Sequence, residues 1–331
     1  LFGLLGLWFL LLGLEAQRRQ WVLLSFSGLF FSASFSIKWN GLWFAFGAFL
    51  LWVLAWVLRW SSSFEYSEIE SLDREDSPVP PPLYRLTQIK WLYLVICFVV
   101  LPAIFYYLIW IPHIRWNPQF DFWAVQQQIL GYHQRVGSGS NVHPYCSTWY
   151  SWILMLRPVA YYYQVGSRVA DPIERGAAAL NGEKVIYDVH AIGNPVLWWL
   201  SSAAIIISLW MLAERWRSLP VLADLRSTLS PLGRELWIGV FLWVNYIANL
   251  LPWIPVTRCV FLYHYMGCSV FSSMLLAWLV DRWLRQETTR IGAYCVIGLA
   301  IAAFIFWMPI YLGLPLSEQE YQMRMWFRSW I

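Results

Sequence analysis

Apolar positions along the chain gather into eight long runs divided by short polar stretches: residues 1–14, 21–37, 41–58, 91–110, 196–213, 235–252, 263–281 and 292–312. A helix needs roughly 18 or more apolar residues to cross the hydrocarbon core of a bilayer, so the runs predict membrane-spanning helices. Pro and Gly interrupt some of them, which membrane helices tolerate. The stretch 21–58 divides at Lys38-Trp39-Asn40-Gly41, where a charge beside a Trp predicts a tight re-entry turn. The first run starts at Leu1 without Met and stops before Glu15-Ala16-Gln17-Arg18-Arg19. It is short for a span and lacks the charged start and small-residue cleavage site of a signal peptide. The expectation is that further spans lie upstream.

Composition strengthens this picture. Of 331 residues, 59% are hydrophobic and 13% charged, against about a quarter charged in soluble domains. Too little polar surface is available to solvate a water-soluble fold. The 25 Trp and 18 Tyr suit bilayer interfaces, where amphipathic rings settle. The net charge of +4 comes from scattered residues, and no basic run interleaved with aromatics points to nucleic acid. Cys97, Cys146, Cys259, Cys268 and Cys295 show no CxxC or zinc spacing, and most sit in apolar segments. Neither a disulfide framework nor a metal site is expected.

Basic residues set the expected orientation. With Arg18 and Arg19 cytoplasmic, alternation places 59–90, 214–234 and 282–291 on the same side. Together with Arg18 and Arg19, these stretches hold 13 of the 23 Lys and Arg residues, in agreement with the positive-inside rule. The domain reading follows. Residues 1–110 are spans with a cytoplasmic acidic, Pro-rich linker at 59–90; 111–195 form an extracytoplasmic loop domain; 196–331 are four spans with an extracytoplasmic tail. All five histidines (His113, His133, His143, His190 and His264) fall on the outer face in this scheme, which places the candidate chemistry there.

Four segments carry that chemistry. Arg258 lies where one span leaves the membrane and the next enters, with Tyr263, His264 and Tyr265 following. A guanidinium there can grip a phosphate through two parallel hydrogen bonds. It can equally snorkel as an anchor among belt aromatics. In the segment 123–133, Trp123, Gln127 and Leu130 share one helical face, with Gln128 and Tyr132 on another, ending at His133. Gln and aromatic faces suit sugars, and the pattern also fits an amphipathic helix on the bilayer. The third segment runs from His143-Pro144-Tyr145-Cys146-Ser147 to Arg157-Pro158. Its His spacing with His133 is not that of a metal site, and no GxSxG elbow surrounds Ser147. The fourth is the Lys38–Trp39 turn, which can meet phosphate or lipid headgroups.

Together these segments resemble one family in chain order. Ser36-Ile37-Lys38-Trp39-Asn40-Gly41, the QQxxxGYH stretch ending at His133, and HPYxSxWxxW from His143 with Arg157-Pro158 come first. Gly193-Asn194-Pro195 before Trp198-Trp199, RxxFLYHY from Arg258, and Tyr321-Gln322-Met323-Arg324-Met325-Trp326 complete the set. The chain resembles the C-terminal portion of protein O-mannosyltransferases, from about Arg18 to Ile331. The resemblance implies an all-α polytopic membrane protein of the GT-C glycosyltransferase fold, with N-terminal spans missing. It implies an inverting mannosyltransferase that moves mannose from a polyprenyl-phosphate donor to Ser or Thr of exported proteins, without a further cofactor. The 111–195 stretch is too short for the β-trefoil insertion of eukaryotic members, which implies a bacterial type in the cytoplasmic membrane.

The family's catalytic base belongs to an Asp-Glu pair in the first outer loop, expected upstream of Leu1. Asp121, Asp171, Glu174 and Asp188 do not occupy that motif. On the resemblance, Arg258, Tyr263, His264 and Tyr265, with Lys38 and Trp39 at the rim, bind donor phosphate and sugar. Gln127, Tyr132, His133, His143 and Tyr145 form the sugar or acceptor wall, and Arg157 holds the loop. Partners implied are the lipid-linked sugar, an exported protein, the bilayer, and the secretion machinery or another subunit. Two alternatives stay open on sequence: a GT-C enzyme with a lipid or glycan acceptor, and a non-catalytic transporter or scaffold. The transporter reading calls for mid-span charges and paired broken helices, of which the spans show almost none.

Overall fold

The computed structural model describes residues 1–16, 18–60, 82–137, 141–167, 184–218 and 231–331. Residues 61–81 of the predicted linker, and the acids Asp171 and Glu174, lie outside the described residues. Every predicted apolar run is helical: α1 (Phe2–Glu15), α2 (Gln20–Ile37), α3 (Leu42–Trp60), α5 (Trp91–Trp116), α8 (Pro195–Ser218), α9 (Pro231–Leu250), α10 (Met266–Leu284) and α11 (Glu287–Leu312). The short helices are α4 (Pro82–Gln88), α6 (Phe122–Arg135), α7 (Trp149–Ile153) and α12 (Glu318–Gln322). Among the described residues, six segments are long and apolar enough to cross a bilayer: Gln20–Ile37, Trp39–Trp60, Trp91–Trp116, Pro195–Glu214, Leu236–Trp253 and Glu287–Leu312. Of the other two, α1 has 14 residues, and α10 carries Ser269, Ser272, Ser273, Asp281 and Arg282.

Two compact units form: residues 1–135 with 207–255, and residues 136–206 with 256–331. In the first unit, α1 and α2 make a hairpin. Its close approach needs small residues, as packing without a hydrophobic drive in lipid does. Ser27 Oγ donates to the Gly6 carbonyl at 2.7 Å, and Ser32 Oγ to the Pro102 carbonyl at 2.7 Å. The π-helical stretch Ile96–Val100 inside α5 ends two residues before Pro102, whose missing N–H and bulky ring disturb an α-helical ladder. A Cβ on Gly28 would stand 1.7 Å from the Cys97 carbonyl oxygen, and backbone cannot swing aside as a side chain can. Gly28→Ala is therefore expected to cost about 2 kcal/mol, read as a lower thermal midpoint of the full-length protein in detergent. An unchanged midpoint would mean that α2 and α5 part freely.

The Lys38–Gly41 break forms as predicted. Lys38 is extended (φ −159°, ψ 136°), Trp39–Gly41 make one 3-10 turn, and Gly41 N–H donates to the Lys38 carbonyl at 2.8 Å.

The second unit adds a small sheet to the mostly helical fold. β1 (Val159–Ser167), β2 (Lys184–Ala191) and β3 (Leu316–Ser317) form an antiparallel sheet in the order β1-β2-β3. β1 and β2 pair from Val159↔Ala191 to Ser167↔Lys184, with an irregularity between Ala160 and Tyr162. The β-branched and aromatic content of Val159-Ala160-Tyr161-Tyr162-Tyr163 suits a pleated surface, and on β2 Asp188 and His190 share the buried face. Trp152 and Trp330 are fully buried here. Trp330 Nε1 donates to the Met155 carbonyl at 3.0 Å, which ties the C-terminal tail under the loop.

Candidate functional site

The second unit brings two predicted segments together across a long stretch of sequence. Cys146 and Cys259 form a disulfide with Cα atoms 5.1 Å apart and a sequence separation of 113. This corrects the expectation of no disulfide framework. Spacing rules detect neighbours in sequence, whereas these cysteines become neighbours only through the fold. The joint is reinforced beside the bond: Ser147 N–H donates to the Val260 carbonyl at 2.8 Å, and Cys259 N–H donates to the Gly137 carbonyl at 2.8 Å. Cys97 and Cys268 are free and buried, and Cys295 is free and exposed.

On one side of the disulfide lies the His143–Tyr145 turn. Tyr145 N–H donates to His143 Nδ1 at 3.2 Å, and His143 is exposed. Its ring stands edge-on to Phe261, with centroids 5.0 Å apart. Arg157 braces the turn from below: Nε and Nη2 donate to the Pro144 carbonyl at 3.2 and 2.9 Å, and Nη1 to the Ser329 carbonyl at 2.9 Å. Its guanidinium also lies 5.3 Å from the Tyr145 ring centroid. With its donors on carbonyls, Arg157 acts on the backbone path.

On the other side lies Arg258. Its side chain is half-buried and, among the described residues, makes one long bond, Nη1 to the Cys259 carbonyl at 3.3 Å. No carboxylate pairs with it among the described residues. The three residues predicted beside it divide. Tyr263 is half-buried and stacks on Phe261 at 5.3 Å. His264 and Tyr265 are buried at 5% and 1% exposure. His264 Nδ1 lies 3.1 Å from the Phe261 amide and 3.0 Å from its carbonyl, closing the turn Leu262–Tyr265, and its ring lies parallel to Trp152 at 6.0 Å. Tyr265 packs against Trp198 at 5.3 Å.

Sequence reasoning passed over one feature of this unit. Asp188 Oδ2 and His190 Nδ1 meet at 3.0 Å with side chains 0% and 1% exposed. Asp188 Oδ1 and His190 Nε2 are buried without a hydrogen-bond partner among the described residues. The Tyr145 ring stands edge-on to His190 at 6.4 Å. Burial, and then the neighbouring Asp188 carboxylate, pushes the Tyr321 phenol above its ordinary range. The findable signal is the Asp-x-His spacing on a strand, which sends both side chains to one face.

The other predicted residues sit in the first unit. Trp39 Nε1 donates to the Tyr106 hydroxyl at 3.3 Å, which donates to Gln126 Oε1 at 2.8 Å. The Trp39 and His133 rings are 5.8 Å apart. Lys38, Gln127 and Tyr132 are exposed. Next to Tyr106 opens a cavity of about 770 Å³ among Phe31, Phe35, Trp43, Phe46, Trp52 and Phe98. No group of three or more His, Cys, Asp or Glu side chains able to hold a metal occurs among the described residues.

The family model for the C-terminal four-TMM region of protein-O-mannosyltransferase matches residues 119–330. The chain belongs to the protein O-mannosyltransferase family. With six apolar helices of spanning length, it is an integral membrane protein. It is 22% identical over 222 residues to the polyprenol-phosphate-mannose–protein mannosyltransferase of Mycobacterium tuberculosis, covering 63% of this chain and 37% of that protein. The protein of the same name from Corynebacterium glutamicum is 24% identical over 212 residues, or 61% of this chain and 35% of that protein. Dolichyl-phosphate-mannose–protein mannosyltransferase 3 of Saccharomyces cerevisiae is 27% identical over 153 residues, or 42% and 20%. Among solved structures, the S. cerevisiae protein O-mannosyltransferase Pmt1-Pmt2 complex bound to the sugar donor aligns with a TM-score of 0.48 and 19% identity, covering 64% of this chain and 27% of that one. The chain thus spans little more than a third of the bacterial relatives' length.

Proposed function

We propose that this chain is the donor-site portion of a GT-C enzyme that transfers mannose from a polyprenyl-phosphate carrier to Ser or Thr of exported proteins. The observation that carries the reading is Arg258: a half-buried guanidinium, without a carboxylate among the described residues, on a segment stapled to the His143 turn. A cation left without a carboxylate is suited to an anionic ligand, and a departing lipid phosphate needs that charge. Tyr263 and the exposed His143 are the further polar groups of this reading. Lys38, Trp39, Gln127, Tyr132 and His133 belong to the same reading as rim and acceptor wall.

In the transfer, the acceptor hydroxyl oxygen forms the new bond to the anomeric carbon as the bond to phosphate oxygen breaks on the opposite face. The hydroxyl proton passes to a carboxylate, which this reading assigns to an Asp-Glu pair upstream of Leu1. A disulfide at Cys146–Cys259 supports an oxidising, extracytoplasmic side for this face. The length of 111–195 supports a bacterial type in the cytoplasmic membrane, with the division into residues 1–110, 111–195 and 196–331 as proposed from charge.

The test is transfer by the full-length protein in detergent, given polyprenyl-phosphate mannose and a Ser/Thr-rich peptide. Mass spectrometry is expected to find one added hexose on the peptide. Arg258→Ala is expected to raise the donor KM about 10- to 100-fold, the loss of a hydrogen bond to a charged group. Unchanged donor KM and turnover would remove the phosphate assignment. Label recovered only in an organic-soluble product would move the acceptor to a lipid or glycan.

A further inference from the structure

We infer that the Cys146–Cys259 disulfide is a positioning element for the donor-phosphate site, made by an extracytoplasmic thiol-oxidising reaction, and that reduced protein binds donor weakly. The inference rests on the proposed function for the ligand, and on geometry for the clamp. Arg258 immediately precedes Cys259, and the His143–Tyr145 turn immediately precedes Cys146. Besides the covalent bond, the two segments meet through a few non-covalent contacts, among them the stacking of Trp152 on His264. Ser147 and Val260 form one isolated antiparallel bridge, to which Ser147 Oγ adds a contact with the Val260 carbonyl at 3.2 Å. His143 rests on Phe261 through an edge contact. A single bridge is no sheet, and it does not set the separation of two loops by itself.

The residues flanking the bond are held by further contacts. Arg157 holds Pro144 to the tail at Ser329, and His264 closes its turn against Phe261 and Trp152. The bond adds a covalent constraint to these contacts at the residues next to Arg258 and the His143–Tyr145 turn. A misplacement of about 1 Å in such a constellation costs about a hundredfold in rate, so a covalent register between the loops has a functional consequence out of proportion to its area.

Formation balances as ordinary exchange. One cysteine thiolate attacks the disulfide of an oxidant protein, giving a mixed disulfide and one oxidant thiolate. The second cysteine thiolate displaces the other oxidant sulfur. The two protein thiols are oxidised, the oxidant disulfide is reduced to a dithiol, and two protons pass from the protein thiols to the oxidant. The supplying reaction is thus disulfide donation by a dithiol oxidant outside the cytoplasmic membrane.

The experiment uses the full-length protein purified in detergent. Alkylation under denaturing conditions, with and without reduction, counts thiols, and a difference of two assigned to Cys146 and Cys259 is expected. Affinity for polyprenyl-phosphate mannose is then measured for the oxidised protein, after phosphine reduction, and after reoxidation. Reduction is expected to weaken donor binding about tenfold or more, with reoxidation restoring it. The Cys146→Ser/Cys259→Ser pair is expected to match the reduced protein. In Arg258→Ala, reduction is expected to add little further loss, because the clamp acts through that guanidinium. A merely structural bond would weaken wild type and Arg258→Ala alike, and that result overturns the inference. Equal affinity of oxidised and reduced wild type, or free thiols at both Cys146 and Cys259 without reduction, overturns it as well. Oxidised wild type that binds no donor overturns the proposed function instead, which keeps the two failures distinct.

Discussion

Asp188→Ala is expected to lower the stability of the full-length protein by about 3 kcal/mol, with Asp188→Asn losing clearly less. The two residues of the pair are buried, with 0% and 1% of their side-chain surface exposed, and their polar atoms meet at 3.0 Å. Removing the carboxylate leaves the imidazole with neither nitrogen partnered among the described residues, since Nε2 already lacks a partner there. It also takes a neighbour from the Tyr321 hydroxyl, whose phenol burial and the adjacent carboxylate push upward. Asparagine keeps an oxygen in place for His190 and Tyr321. The order of the two variants is thus the diagnostic result, and thermal unfolding in detergent reads it. Equal midpoints for Asp188→Ala and wild type would mean that the pair contributes nothing to the sheet. Because Tyr145 packs edge-on to His190, loosening the pair is also expected to loosen the turn that carries His143.

Spans are legible in sequence because the bilayer imposes one length and one polarity on each, so every apolar run returns as a helix. The turn at Lys38–Gly41 is legible for a local reason. Gly41 passes so close to Ser34 that an added Cβ would stand 2.2 Å from its carbonyl oxygen, and a charge beside a Trp marks the interface. Helix α6 is legible too, and its only fully buried residue is Val125, with Trp123, Gln127, Gln128, Leu130 and Tyr132 exposed.

What stays hidden is non-local. The sheet pairs Val159 with Ala191 and Ile186 with Leu316, and no window along the chain contains both partners. The disulfide joins residues separated by 113 positions. His264 illustrates the same limit at the site. Its motif position puts it beside Arg258, but the side chain turns inward to close a backbone turn against Trp152. Proximity in sequence predicts company; it does not predict which member of the company meets a ligand. Arg157 and Arg258 make the same point as a pair. Each is an arginine in a motif, and only the fold separates the one spent on carbonyls from the one left, among the described residues, with a single long bond.

Trp152→Ala is expected to cost about 3–5 kcal/mol. The ring is fully buried, and its neighbours reach both segments of the clamp. Its Nε1 donates to Ser147 Oγ at 2.8 Å, and Ser147 in turn meets the Val260 carbonyl. Its face lies 6.0 Å from the His264 ring at 19°. Its own carbonyl accepts from Trp198 Nε1 at 2.9 Å. Alanine empties the volume under His264 and frees the Ser147 hydroxyl together. Trp152→Phe keeps most of the ring and gives up one hydrogen bond, so about 1 kcal/mol is expected there. The functional readout separates packing from chemistry. If Trp152 acts by holding His264 and Ser147 in register, Trp152→Phe should retain near-normal donor affinity while Trp152→Ala loses both affinity and midpoint. A Phe variant that keeps its midpoint but loses donor affinity would instead assign the indole N–H a direct part in orienting the Cys146–Ser147 segment.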